Sequence, residues 1–242
     1  MGFDSGDGGV PSSLRAAGRE AIAFARQAVL LHRDVTSTLP ERARAGEDVV
    51  VLLHGLFATA GVLRPLRRAI EQGAGAHTAA FSYAPGPGVE SVAKRLSELL
   101  RWLPAGVRIH LVGHSVGGLA ARWYVQEHGV DPRVVQTISL ATPFHGTRHA
   151  RLLPGPAGRD ITPGSALLRK LEQGSHQALH VPHLSIAAAR DAVVTESTLF
   201  HWGDRLEVAE CGHNALLFHP EVSAVVTRRV RERRAQLTPL VA

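Results

Sequence analysis

Apolar residues arrive along this chain in short, nearly unbroken runs separated by stretches in which they recur every three or four positions. Residues 48 to 53 (Asp-Val-Val-Val-Leu-Leu), 77 to 82, 107 to 112, 133 to 140, 182 to 188 and 204 to 209 have the length and composition of strands, most of them apolar on both faces. Between them, residues 60 to 72, 89 to 102, 116 to 128, 163 to 173 and 220 to 233 carry helical spacing. Strand and helix alternate from Asp48 onward, which predicts an α/β fold, doubly wound around a mostly parallel six-stranded sheet. Ahead of that pattern, Leu14, Ala17, Ala21, Phe24, Ala28 and Leu31 recur at helical spacing, so residues 14 to 32 are expected to form a helix packed on the domain. Residues 1 to 12, rich in glycine, aspartate and serine, are expected to be disordered, 13 to 47 to form the N-terminal helical segment, and 48 to 242 the main domain.

One strand-to-helix junction carries chemistry. Gly113-His114-Ser115-Val116-Gly117 follows the run ending at Val112 and precedes a helix-like stretch, which is G-x-S-x-G in the setting where it presents a nucleophile. A serine in such a tight turn has its hydroxyl pushed clear of the backbone, and glycines on either side leave room for the neighbouring strand and helix. A serine nucleophile needs amide donors for the oxyanion, a base, and an acid that orients the base. The strand 48 to 53 runs into His54-Gly55-Leu56-Phe57, where Gly55 permits a sharp turn. The amide of Leu56, or that of Phe57, can then join the amide of Val116 in facing a developing oxyanion.

Downstream, the strand 182 to 188 is followed by Arg190-Asp191, at the edge where functional groups of parallel sheets collect. Asp191 is the favoured acid, ahead of Asp204, Glu196 and Glu210. The strand 204 to 209 leads into Glu210-Cys211-Gly212-His213-Asn214, which brings His213 to the same edge as the favoured base. Among 14 histidines its nearest rival is His219, which opens a segment leading away.

Composition narrows the field further. At 242 residues and 45% apolar content, the chain can bury a substantial single core. A lone cysteine, Cys211, excludes an internal disulfide and offers no zinc spacing. The net charge of +6 comes from 27 basic residues, all arginine except Lys94 and Lys170, without aromatic interleaving or a nucleic-acid motif. Nucleic-acid binding is therefore not expected, and the run Arg228 to Arg234 reads as a solvated helix face. The 14 to 32 helix is too polar to span a bilayer and is a poor export signal, so a cytoplasmic protein is expected, with peripheral membrane contact as the secondary reading.

Taken together, His54-Gly55-Leu56-Phe57, Gly113 to Leu119 with Ala121-Arg122, Ala141-Thr142-Pro143-Phe144-His145-Gly146-Thr147 and Gly212-His213 resemble the lipase and esterase branch of the α/β-hydrolase superfamily, near bacterial triacylglycerol lipases and GPI inositol-deacylase-like hydrolases. The resemblance covers residues 48 to about 230. It implies a reduced hydrolase fold and a Ser115-Asp191-His213 triad that cleaves carboxylic esters through an acyl-serine. It also implies an oxyanion hole of the two-residue type and a lid-like insertion over residues 148 to 180. His54, Phe57, Phe144, Val193 and Val194 are the candidate pocket residues, and a small-molecule or lipid ester the expected substrate. No metal and no organic cofactor are expected. Acyl transfer on the same triad, or a non-catalytic lipid- or protein-binding module, are the competing readings.

Overall fold

The apolar runs become strands covered on both faces, and the helices that cover them meet the sheet through two separate core layers. A computed structural model describes residues 11–40, 42–128, 131–174, 180–195 and 197–238. The first ten residues, expected to be disordered, and the alternative acid Glu196 lie outside the described residues. The strands are β1 (Asp48–Leu53), β2 (His77–Ala80), β3 (Arg108–His114), β4 (Val134–Leu140), β5 (His183–Ala188) and β6 (Asp204–Val208). They form one six-stranded sheet in the order β2-β1-β3-β4-β5-β6, and every pairing is parallel. All six positions of β1 are buried. Side chains alternate across a strand, so Val49, Val51 and Leu53 enter one layer while Val50 and Leu52 enter the other.

The helices are α1 (Ser12–Leu30), α2 (Arg64–Ala74), α3 (Val89–Arg101), α4 (Val116–Glu127), α5 (Gly155–Asp160), α6 (Ala166–Gln173) and α7 (Pro220–Leu237). The helix expected over 163 to 173 is α6 alone, preceded by the separate α5. Pro163 disfavours helix in the residue before it, and Gly164 takes a left-handed φ of +71°, so the chain turns before Ser165 caps α6 by accepting a bond from the Leu168 amide.

Strand order explains where a site can form. The chain leaves β1 for β2 on one side and returns to place β3 on the other. Helices α3 and α4 pack together on one face of the sheet, and α2 and α7 on the other. The loops after β1 and β3 therefore part over the carboxyl edge of the sheet and leave a crevice there.

The opposite edge is held by charge. Asp48 at the start of β1 is 2% exposed and accepts bonds from Arg108 Nε (2.7 Å), from His110 Nε2 (3.1 Å) and from Arg234 of α7. Burial by itself would raise its carboxyl pKa, but the bonds from His110, Arg108 and Arg234 win and hold it well below the usual carboxylate range. The unfolded chain therefore takes up this proton before the folded one does, so stability from Asp48 is complete above about pH 4 and declines as pH falls further. Asp48→Asn is expected to lower unfolding free energy at neutral pH by about 3 kcal/mol, because it leaves its cationic partners uncompensated. Urea denaturation should also show the variant losing less stability than the wild type on acidification below about pH 4.

Candidate active site

Ser115 sits between the end of β3 and the start of α4 in a strained turn, with φ +52° and ψ −125°. The neighbouring glycines make that turn possible. A Cβ on Gly117 would lie 2.6 Å from the carbonyl oxygens of Leu53 and His54 at the end of β1, and one on Gly113 would collide with the Gly117 and Gly118 backbone. Gly118 leaves room for the side chain of Thr142, so the Ala141-Thr142-Pro143 segment after β4 packs directly against the turn. The Ser115 amide donates to Leu140 O at 2.9 Å, and the Gly118 amide to Ser115 O at 3.0 Å.

Asp191 and His213 are brought together as the sequence suggested. His213 Nδ1–H donates to Asp191 Oδ2 at 2.8 Å, with side chains only 5% and 4% exposed. The other carboxylate oxygen of Asp191 accepts the amides of Val193 (2.9 Å) and Val194 (2.7 Å), which fixes the carboxylate plane. The two loops are also stitched by backbone bonds, Ala189 N–H to Val208 O and Arg190 N–H to Cys211 O, each 3.0 Å. With Nδ1 committed to Asp191, the free lone pair of a neutral His213 lies on Nε2. Ser115 and His213 line the same cavity; no hydrogen bond joins them among the described residues, and such contacts often tighten only around a seated substrate.

The rivals are placed elsewhere. Asp204 opens β6 and pairs with Arg229, Glu210 pairs with Arg15, and His219 stands before α7, outside the cavity lining. Cys211 is fully buried, and burial pushes its thiol up to about 12, so it stays protonated.

Two more histidines support the site and remain neutral. His54 donates from Nδ1 to its neighbour's Gly55 O at 2.7 Å and accepts the Tyr83 amide on Nε2 at 3.1 Å. Its ring stacks on Tyr83 at 3.8 Å, and the Tyr83 hydroxyl donates to His54 O. Burial lowers its pKa to about 4. Because the Gly55–Leu56 peptide is planar and trans, tying its carbonyl to His54 directs the Leu56 N–H the opposite way. His114 donates from Nε2 to His213 O at 3.1 Å; burial, then the proximity of His213, lowers its pKa to about 3.

The cavity beside Ser115 encloses about 460 Å³. Leu56, Phe57, Val193 and Val194 line it, as do Leu152, Leu153 and Ile161 from the expected insertion. Two pocket expectations are corrected. His54 is not in the lining but lies beneath the loop it holds, and Phe144 turns into the core against Phe200 (ring centroids 4.5 Å) and the edge of His183. Val116 is the first residue of α4; its amide has no preceding helical carbonyl to bond.

Sequence reasoning missed the part played by α1. Phe24, Gln27, Ala28 and Leu31 form one wall of the cavity. Glu20 accepts the amides of Asn214 (3.0 Å) and Ala215 (3.0 Å) and the Asn214 side-chain amide (2.7 Å), while Gln27 donates to Asn214 Oδ1 at 2.8 Å. The loop carrying His213 is thus clamped from α1. The signal was present: Ala16, Glu20, Ala23 and Gln27 share one helical face, a polar pair among small residues suited to bonding a buried loop. Among the described residues no group of three or more histidine, cysteine, aspartate or glutamate side chains is placed to hold a metal ion.

Solved structures share this architecture. A Bacillus licheniformis lipase in its mature form superposes with a TM-score of 0.63 at 16% identity, over 80% of this chain and 96% of that one. Aspergillus fumigatus lipase B gives 0.68 at 17% identity, over 79% of this chain and 55% of that one. The fold is that of the α/β-hydrolases. A structure reported for two metagenome-derived lipolytic enzymes shares the hydrolase fold with a TM-score of 0.59 at 16% identity, over 84% and 98% of the two chains. No protein-family model matches the sequence, and no curated protein matches it.

Within the hydrolase fold, the turn at Ser115 stores strain that glycine would not feel. A non-glycine residue in such a backbone region costs about 1–3 kcal/mol. Ser115→Gly is therefore expected to raise thermal or urea stability by about 1 kcal/mol, net of glycine's extra unfolded-state entropy. Ser115→Ala, which keeps the Cβ, should give no such gain; equal stability of the glycine and alanine variants would contradict the strain.

Proposed function

We propose that the protein is a serine hydrolase that cleaves carboxylic esters, with Ser115 as nucleophile, His213 as general base and acid, and Asp191 orienting His213. The observation that carries this reading is the 2.8 Å bond from His213 Nδ1 to Asp191 beside a cavity that Ser115 and His213 share. His213 Nε2 takes the hydroxyl proton as Ser115 Oγ attacks the acyl carbon. The carbonyl oxygen becomes an oxyanion opposite the amides of Leu56 and Val116, the first turned outward by His54 and the second free at the start of α4. The intermediate collapses by expelling the alcohol, which receives the proton from His213. Water then attacks the acyl-serine with His213 again as base, releasing the acid and restoring Ser115.

Asp191 supplies charge and orientation. It stabilises the imidazolium that forms during each step and keeps the lone pair on Nε2. The apolar residues Leu56, Phe57, Val194, Leu153 and Ile161 beside the reacting centre suit an acyl chain of medium or greater length. The fold neighbours named as lipases and lipolytic enzymes support the same substrate class.

A fluorophosphonate probe is expected to label the wild type and not Ser115→Ala, and nitrophenyl esters from acetate to palmitate should be hydrolysed with a preference for medium or longer chains. Labelling of the alanine variant, or negligible turnover across the whole series, would overturn the reading. Asp191→Asn is expected to lower kcat by roughly 10⁴-fold with the fold intact, since the amide favours the wrong histidine tautomer.

A further inference from the structure

The N-terminal helix turns its most apolar face away from the protein. The residues of α1 that are buried are Ala16 and Ala23, on the side that carries Glu20 and Gln27. On the opposite side Leu14, Ile22 and Val29 are 60%, 56% and 68% exposed, and Phe24, between that side and the cavity it lines, is 53% exposed. Glycine and alanines occupy the positions between them, so no charged side chain interrupts this face. The face is continuous with the mouth of the cavity, whose lining residues Phe57, Leu152 and Val193 are themselves 63%, 80% and 39% exposed.

Basic side chains predominate around this surface. Arg15, Arg19, Arg26 and Arg33 recur at spacings of four and seven residues and so follow one flank of the helix line. Arg151, exposed, adjoins Leu152 of the cavity lining in the chain. Between Pro11 and Arg33 the single carboxylate is Glu20, turned inward onto Asn214 and Ala215. The acidic groups that face the flank from neighbouring elements are Glu210, paired with Arg15 and Arg19, and Asp34, paired with Arg64 and Arg67.

We infer that the outer face of α1, together with the exposed rim of the cavity, is a docking surface for an anionic phospholipid bilayer. An apolar helix face edged by arginines seats at the boundary between headgroups and acyl chains, with the guanidinium groups among lipid phosphates. A second copy of this chain would set the same arginine row against itself, whereas an anionic bilayer neutralises it. No described helix is long and apolar enough to cross a membrane, so the contact is peripheral. The Glu20 clamp holds α1 against the His213 loop, which fixes the cavity mouth at the lipid surface. The inference deepens the ester-hydrolase reading by naming a membrane lipid surface as the place where substrate is met, while docking itself does not require a reactive Ser115.

Vesicle co-sedimentation of the full chain tests this, using phosphatidylcholine alone and phosphatidylcholine with about a third phosphatidylglycerol. Wild type and Ser115→Ala are both expected to bind the anionic vesicles, to bind the neutral ones far less, and to be released by salt. The triple variant Leu14→Ser, Ile22→Ser, Val29→Ser changes only exposed side chains outside the cavity lining. It is expected to lose roughly tenfold or more of the vesicle partitioning while hydrolysing nitrophenyl acetate like the wild type. Arg26→Glu with Arg33→Glu should weaken anionic-vesicle binding by a second route should the triple variant misfold. Undiminished binding by both variants, or no binding by the wild type, would overturn the docking surface. A wild-type dimer by light scattering that the triple variant abolishes would assign the face to a second copy and overturn it too. Vesicle binding without turnover of any ester would sink the hydrolase reading and leave the docking surface standing.

Discussion

Backbone against backbone at one point organises this molecule: the first turn of α4 presses on the end of β1 with only hydrogen atoms to spare. Gly117 faces the Leu53 and His54 carbonyls, Gly113 faces the Gly117–Gly118 peptide, and Gly118 faces Thr142. Three strand ends, those of β1, β3 and β4, converge there because none of these positions has a side chain to hold them apart. Ser115 is the residue left between the glycines, so it takes the strain of the turn and points where the loops after β1 and β3 diverge.

The remaining groups are delivered by loops, and hydrogen bonds rather than packing set their positions. Both oxygens of Asp191 are used, one on His213 and one on two amides of its own loop. His54 orients the Gly55–Leu56 peptide, and His114 ties down the His213 carbonyl. Burial keeps both supporting rings neutral at physiological pH, so neither adds a positive charge beside His213. A buried ion-pair network, by contrast, sits at the far edge of the sheet around Asp48, away from Ser115.

Much of this was legible from residue order. Fully buried parallel strands leave continuous apolar runs, and tight strand-to-helix turns leave glycines, so the sheet and the Ser115 turn could be read directly. That Asp191 and His213 would meet could be read because both follow strands at the same edge. What periodicity could not show was which side of an amphipathic helix is covered. In α1 the apolar stripe of Leu14, Phe24 and Leu31 is exposed, and the helix docks through Glu20 and Gln27 instead. His54 and Phe144 were misplaced for a related reason: a motif fixes where a residue stands in the chain, while its rotamer decides between cavity and core. Pro163 and Gly164 marked the turn ahead of α6, which Ser165 caps.

The central claim is that Ser115 and His213 act as one chemical unit, and a double-mutant cycle on ester hydrolysis tests it most directly. Ser115→Ala and His213→Ala should each lower kcat by about 10⁴-fold or more, and the double variant should be no slower than the worse single one. Losses that multiply in the double variant, or wild-type turnover in either single variant, would contradict the account.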